Sequence, residues 1–513
     1  MASDSDRIGK INTTPDRGLL LVGMTAVERL SELFVIEAEV VARGGPVDLH
    51  PCLAKPVSFA FKGKPHVSRN FHGILCEYVE IGRDNDGQDY IYRLVIRPQQ
   101  YLKSLNRVSK IHYKLTMANL VSMLATQKQT LSASYDAVEY RVQYDESDFD
   151  FVSRHMEREG IYYFFDHQES SHTLVAVDAP AAHTAGTPGT VRLHSGKPDG
   201  KEAVLWSLRE HRRFGPTAYT VDDYDYTAPT TVMKKQKQMT NVGSGAARWR
   251  NGQAPDVSAN IAERFEYPAN YDRPGMSRGE RYAGVRLEAD RADMARSHGE
   301  GDVFAAAVGR KLKVAFDESR AGKAFNADQE YLIVASRHLY RASGYRSGGG
   351  GDEDMRVELE MMPARHPFRP ARKTPMPRIG GPQTGIVVGP PGEEIYTDKY
   401  GRIKVKFFWD IQGYDGGGEV HKRSLWMRVA QMSAGGGYGA FMIPRIGHEV
   451  VVEFLNGDPD RPLVTGSVYN ESNLPAFDSA TANALQGIRT NSTKGGGGFN
   501  EIRFDDSKNK EVF

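Results

Sequence analysis

Between Gly385 and Asn470 the chain alternates apolar and polar residues in short runs separated by turn residues, and this pattern restricts the fold more than any other. Ile403, Val405 and Phe407 alternate with Arg402, Lys404 and Lys406. Leu425, Met427 and Val429 alternate with Trp426 and Arg428, and Val450, Val452 and Phe454 follow the same rule. A period of two sends one set of side chains to a core and the other to the surface, which marks a half-buried strand. Asn456-Gly457-Asp458-Pro459 supplies a turn: Gly accepts positive φ, Asp bonds the local backbone and Pro fixes φ. Four or five such strands in about 85 residues suit a small closed or nearly closed barrel.

Strands dominate the rest of the chain as well. Leu19–Met24 and Leu33–Val41 are strand-like runs, and Pro56–Phe61 alternates. A hairpin is expected around Asp84-Asn85-Asp86-Gly87, with Tyr90, Tyr92, Leu94 and Ile96 on one face of the return strand. Met117–Gln127 has a helical apolar stripe of Met117, Leu120, Val121 and Leu124. A second helix starts at Ser147, where Ser147 and Asp150 fit a capping box; it buries Phe149, Val152 and Met156 and ends at Gly160. Ile161–Phe165 is strongly β-prone. Further strands are expected at Thr173–Val177, Ala203–Leu208, Ala218–Asp222, Phe304–Phe316, Glu330–Tyr340 and Val357–Met362, and a helix at Ala283–Ser297. Residues 240–280 and Ser347–Met355 read as loops, and the Pro/Arg-rich Pro363–Pro382 reads as a linker. After the barrel comes a connector, Glu471–Gln486. Then Phe499-Asn500-Glu501-Ile502-Arg503-Phe504 sets Ile502 and Phe504 on one face and Glu501 and Arg503 on the other. So short a tail cannot bury that face alone, and the chain stops in what reads as the start of another strand. Association through this end is expected, with Phe499, Ile502 and Phe504 as the residues that make it.

Length and composition bound the function. A chain of 513 residues implies three or four domains. With 66 basic and 65 acidic residues there is no whole-chain attraction to nucleic acid, membranes or acidic partners. Cys52 and Cys76 read as small core residues rather than a disulfide framework. Met1–Asp16 has no apolar core of a signal peptide, and no run of about 18 apolar residues suggests a membrane span. Catalytic signatures are wanting. Gly435–Gly439 lacks the spacing and the following helix of a phosphate loop, and His448-Glu449 lacks the second His of a zinc protease. Glu393-Glu394, Asp222-Asp223 and Asp505-Asp506 read as solvated turns or strand edges rather than glycosidase pairs. Lys404 and Lys406 with Phe408 and Trp409 form a basic–aromatic strand, better explained as an outer face turned to solvent or a neighbouring subunit than as a base-stacking surface. No catalytic residue, metal site or cofactor site is expected.

Several motifs, in order, resemble one family. DFDFVSRHMEREGIYYFF (148–165), DKYGRIKVKFFWD, SLWMRVAQ, GAFMIPRIGHEVVVEFLNGDPDRPLVTGSVYN and STKGGGGFNEIRFDD are similar to the valine-glycine repeat protein G (VgrG) family, the spike of type VI secretion. The resemblance implies a mainly β protein in three parts. Residues 1–380 would be a phage-tail-hub-like region of two related β-barrel domains with helical insertions, 381–472 an OB-fold barrel, and 473–513 a connector with the start of a trimeric, intertwined β-helical needle. It implies a homotrimer on the hexameric Hcp tube, a PAAR-repeat tip protein, baseplate components, and secreted effectors with their adaptors, and no nucleic acid. The trimer would be assembled in the cytoplasm and secreted without a signal peptide. The short connector leaves no room for the lysozyme domain of the phage relative, and further needle or an effector domain past Phe513 stays open. A phage-tail or extracellular injection spike and a delivered cell-wall hydrolase are the rival readings.

Overall fold

The computed structural model describes residues 7–63, 66–83, 87–125, 127–194, 202–238, 262–271, 276–315, 329–342, 353–410 and 420–513. The expected turn at 84–86, most of the loops expected at 240–280 and Ser347–Met355, and the Gly-rich segment 411–419 lie outside these residues. The chain divides into two compact units. One comprises Met1–Leu105, Leu120–Ser134 and Val152–Pro375, the other Asn106–Asn119, Tyr135–Phe151 and Met376–Phe513.

In the first unit, six strands lie side by side in the order Gly9–Thr13, Pro56–Phe61, Arg69–Arg83, Tyr90–Arg97, Val35–Ala42 and Leu20–Arg29. The strand expected at Leu33–Val41 forms as Val35–Ala42, with Ile36, Ala38 and Val40 buried and Glu37 and Glu39 exposed. Leu20–Arg29 then pairs antiparallel with Gln329–Arg341, from Arg29 opposite Ala335 to Gly23 opposite Arg341. That strand begins a second group of six, continuing through Lys311–Ala315, Ala185–Leu193, Val204–Arg212, Ala295–Gly301 and Asp354–Pro363. Asp354–Pro363 pairs back onto Gln329–Arg341, so the second group closes on itself. The expected mainly β architecture with barrels is therefore what the sequence forms.

The helices differ in detail from the sequence pattern. The first is a single turn and a half, Met117–Val121, although Met117, Leu120, Val121 and Leu124 are all buried. The second, Asp148–Glu159, carries the chain from one unit to the other. Ser147 Oγ accepts from the Asp150 amide at 2.9 Å as expected, but the Asp150 carboxylate accepts from the Ser147 hydroxyl at 2.7 Å. Gly160 ends the helix at φ +77°, the left-handed C′ position. The buried ring is Phe151, stacked 4.6 Å from His112, whereas Phe149 is half-buried. Val152 and Met156 are buried as expected, and Ser153, Arg154, His155 and Glu157 are buried too, so the helix is enclosed on most sides. The third helix, Met276–Ala292, starts earlier than expected, and a short strand, Glu263–Glu266, lies inside the segment read as loop.

The Pro/Arg-rich stretch is not a free linker up to Pro375. Phe368 is buried in the core of the first unit. Arg369 pairs with Glu288 at 2.8 Å and donates to the Gly160 carbonyl at 3.0 Å. Arg372 makes two bonds, 2.6 and 2.8 Å, to the Glu266 carboxylate, and the amides of Lys373 and Thr374 donate to Glu157 at 3.0 and 3.1 Å. Extended, proline-broken backbone has no ladder to join, so ionic side chains and one aromatic ring fasten it instead.

In the second unit, Gln383–Val388, Ile403–Phe407, Trp426–Val429, Pro462–Val468 and Glu449–Phe454 form a closed five-stranded barrel in that order. Ile403, Val405, Phe407, Met427, Val450 and Val452 fill it, as the alternation predicts. The strands Val108–Leu115 and Val138–Glu146 pair with each other and add Ile111, Tyr140 and Val142 to the same core. Two barrel carboxylates fix this pair: Asp460 accepts from the Val142 amide at 2.7 Å and Asp410 from the Ile111 amide at 3.3 Å. Lys404 corrects an expectation. It is buried, its ammonium donating to the His421 carbonyl at 2.7 Å and lying 5.1 Å over Trp426. Trp409 stacks on Phe407 at 4.9 Å and donates to Gln383 at 2.6 Å, so the basic–aromatic strand is partly interior.

Asp460→Ala removes a bond to a core amide. Denaturant unfolding of the barrel unit should show a loss of about 1–3 kcal/mol, and Asp460→Asn, which keeps an acceptor oxygen, a smaller one. Equal stability of the alanine variant and the parent contradicts this role.

Candidate assembly face on the C-terminal ribbon

Beyond the barrel, Leu485–Arg489 and Glu501–Asp505 form a two-stranded antiparallel ribbon. Ile488 stands opposite Ile502, and Gln486 opposite Phe504. Directly opposed residues share a face. The strands approach closely at Gly487, where a Cβ would lie 2.2 Å from the Ile502 carbonyl oxygen. Only glycine fits there. After the second strand the chain turns back: Asp505 and Val512 exchange backbone bonds of 2.8 and 3.0 Å, and Phe513 stacks on Phe504 with centroids 4.9 Å apart.

The face so built is apolar and open. Ile502 is 55% exposed, Phe504 46% and Phe513 84%. Ile488 joins them. Sequence reasoning placed Ile502 and Phe504 together, and the ribbon does so. Phe499 is apart, before the strand, also exposed, with the Arg489 guanidinium 4.6 Å over its ring and 5.1 Å over Phe477. Arg489 also pairs with Glu501 at 2.5 Å. Ile488 and Phe513 were not singled out from sequence. The signal for Ile488 is the pair Gly487-Ile488, a close-approach glycine beside a β-branched residue.

The barrel holds the ribbon by its turn. The Gly495 amide donates to Glu394 at 2.6 Å, Lys494 pairs with Glu393 at 3.2 Å, and Arg445 donates to the Asn491 carbonyl at 2.5 Å while pairing with Glu394 at 3.4 Å. The acidic pair Glu393-Glu394, read from sequence as a solvated turn, is this clamp. A groove of about 480 Å³ lined by Tyr469, Phe477, Leu485, Ile488 and Arg489 lies beside the ribbon.

The remaining sequence candidates serve local backbone. The Gly435–Gly439 segment closes on itself, with the Gly435 amide on the Tyr438 carbonyl at 2.9 Å and the Ala440 amide on Ser433 at 3.0 Å. Gln431 braces that turn by bonding both backbone groups of Met442, which leaves Met432, Tyr438 and Phe441 exposed. His448 accepts from the Arg445 amide at 3.3 Å, and Glu449 from Asn470 at 2.9 Å. Asp223 accepts from the Tyr271 amide at 3.1 Å, and Asp505 from Ser507 at 3.0 Å. Among the described residues no group of three or more His, Cys, Asp or Glu is arranged to hold a metal ion, and no helix is long and apolar enough to cross a membrane.

Comparison with known proteins places these features. The phage tail baseplate hub (GPD) family matches residues 27–344, and the type VI secretion system/phage-baseplate injector OB domain matches residues 383–469. The spike protein VgrG1c of Pseudomonas aeruginosa is 35% identical over 500 residues, which cover 94% of this chain and 64% of that protein. VgrG1a of the same organism is 34% identical over 507 residues, 96% of this chain and 74% of that one. The actin cross-linking toxin VgrG1 of Vibrio cholerae is 28% identical, with 93% and 42% covered. The chain thus spans a little under two thirds of the length of the first relatives it matches. In fold it is similar to the Escherichia coli c3393 protein, a component of the type VI secretion system with structural similarity to T4 tail proteins gp27 and gp5 (TM-score 0.61, 18% identity, covering 90% of this chain and all of that one). It is equally similar to a chain of the Francisella PdpA–VgrG complex (TM-score 0.61, 9% identity, 96% and 72% covered). The chain belongs to the VgrG family of type VI secretion system spike proteins.

Proposed function

We propose that this chain works as the puncturing spike of a type VI secretion system: a homotrimer that caps the Hcp tube, carries a PAAR-repeat protein at its tip, docks on baseplate components and delivers effectors held directly or through adaptors. The observation that carries this reading is the ribbon's open apolar face, in a chain that matches spike proteins from end to end of its hub and barrel. Three copies turning Ile488, Ile502, Phe504 and Phe513 toward one another bury what one copy leaves in water, and each such side chain contributes about 1.5–3 kcal/mol when fully covered. The ribbon is then the first rung of an intertwined β-helical needle. Residues 1–380 act as hub, 381–472 as the OB collar and 473–513 as connector and stem. The role is mechanical, and the spike leaves the cell with the machine rather than through a signal peptide. The relatives called spike proteins support this; the toxin relative extends well beyond the region shared with this chain.

Two measurements test it. Sedimentation velocity of the purified chain should show a trimer, and Ile502→Asp with Phe504→Asp should shift the population toward monomer by tenfold or more in association constant. A monomeric parent at high concentration, or a double variant with unaltered association, counts against the stem assignment. In cells lacking the native gene, the parent should restore release of the tube protein into the medium and the double variant should not. Restoration by both removes the ribbon from the mechanism.

A further inference from the structure

The first unit contains a cluster of buried histidines that the spike function does not use. His72, His172 and His338 are 8%, 3% and 0% exposed, and the His167 side chain 2%. They surround Glu28 and Arg69, whose ion pair is 2.5 Å long. These six are the charged and titratable groups that face one another across the strands Leu20–Arg29, Arg69–Arg83, Tyr162–His167, His172–Val177 and Gln329–Arg341. Phe34 and Phe71 seal the cluster, their rings 4.8 and 5.6 Å from that of His167.

The hydrogen bonds fix where each ring proton resides. The Gln99 amide donates to His172 Nε2 at 2.9 Å, so that nitrogen is bare. The proton of a neutral His172 is then on Nδ1, which lies 2.8 Å from His72 Nδ1 and donates to it. The His72 backbone amide donates to His167 Nδ1 at 3.1 Å, so His167 carries its proton on Nε2 and donates it to Glu28 at 3.1 Å. Three rings therefore each use one nitrogen as an acceptor that is already occupied. A second proton on His72 or His172 has nowhere to go without breaking a bond. On His167 it displaces the His72 amide.

We infer that this chain of bonds is an acid-sensitive latch holding the strand pair of residues 162–177 to the first six-stranded group. Protonation and closure are mutually exclusive, and more than one ring is released when the latch opens, so opening takes up more than one proton. Burial acts in the same sense. It pushes His172 down to about 3 and His72 below its usual value. An exposed histidine titrates near 6.5. The folded values lie below that, so the stabilisation is complete above about pH 6.5 and is lost as pH falls toward about 3.

Hydrogen exchange of the full chain, corrected for intrinsic rates, tests this between pH 7.5 and 4.5. Protection of peptides spanning 69–75, 98–104 and 162–177 should fall together, by at least tenfold per pH unit below about pH 6, while the barrel strands at 383–388 and 449–454 keep theirs. His172→Gln, which retains an acceptor for the Gln99 amide and cannot take a proton, should flatten the profile at 98–104. If that variant misfolds, His72→Gln serves the same purpose. A flat profile in the parent, simultaneous loss of protection across the barrel, or unchanged pH dependence in the variants overturns the latch.

Discussion

The buried carboxylate of Glu28 is the point on which the first unit turns. An isolated charge at that depth is untenable, and losing one partner of such a pair costs about 3–5 kcal/mol. Its partners come from different parts of the chain. Arg69 is on the strand two places from the sheet edge, and His167 ends the strand that follows the buried helix. Glu28 itself stands opposite Ser336, in the pairing that joins the two groups of six strands. The charge can be satisfied only when sheet register, inserted strands and aromatic packing are all correct at once. A polar interaction of this kind adds little net stability over an apolar core. What it adds is a penalty on every arrangement in which those parts meet wrongly.

The second unit solves its problem differently. The barrel interior is aliphatic and aromatic, and its polar work is done at the margins by side chains that replace missing backbone partners: Asp410 and Asp460 for the added strand pair, Gln431 for the exposed turn, Glu394 for the turn of the ribbon. The result is a small platform to which an apolar ribbon is tied by its turn. The platform supplies position, and the ribbon supplies surface.

The barrel was the most legible part of the sequence, because strands with one wet face print their alternation directly in residues such as Ile403, Val405 and Phe407. The ribbon's Ile502 and Phe504 were legible for the same reason. What failed to show were elements whose environment does not alternate. The helix at Asp148–Glu159 is enclosed on most sides, so Phe149 and Phe151 could not be told apart by period. Lys404 sits on the expected polar face, yet its long stem carries the ammonium to a buried carbonyl. The strap of Arg369 and Arg372 looked like a linker because prolines hide attachment made by side chains. The histidine cluster has no linear signature at all, since His72, His167, His172 and His338 meet only after the sheet has formed.

The barrel unit is discontinuous in the chain, and this has a consequence for synthesis. Ile111 and Asp410, which bond to each other, are 299 residues apart. At about 5–20 residues per second, roughly 15–60 s separate the emergence of Ile111 from that of Asp410. Through that interval Ile111, Tyr140 and Val142 have no barrel to enter. Part of this core therefore stays uncovered until the strands from Gln383 onward have been made.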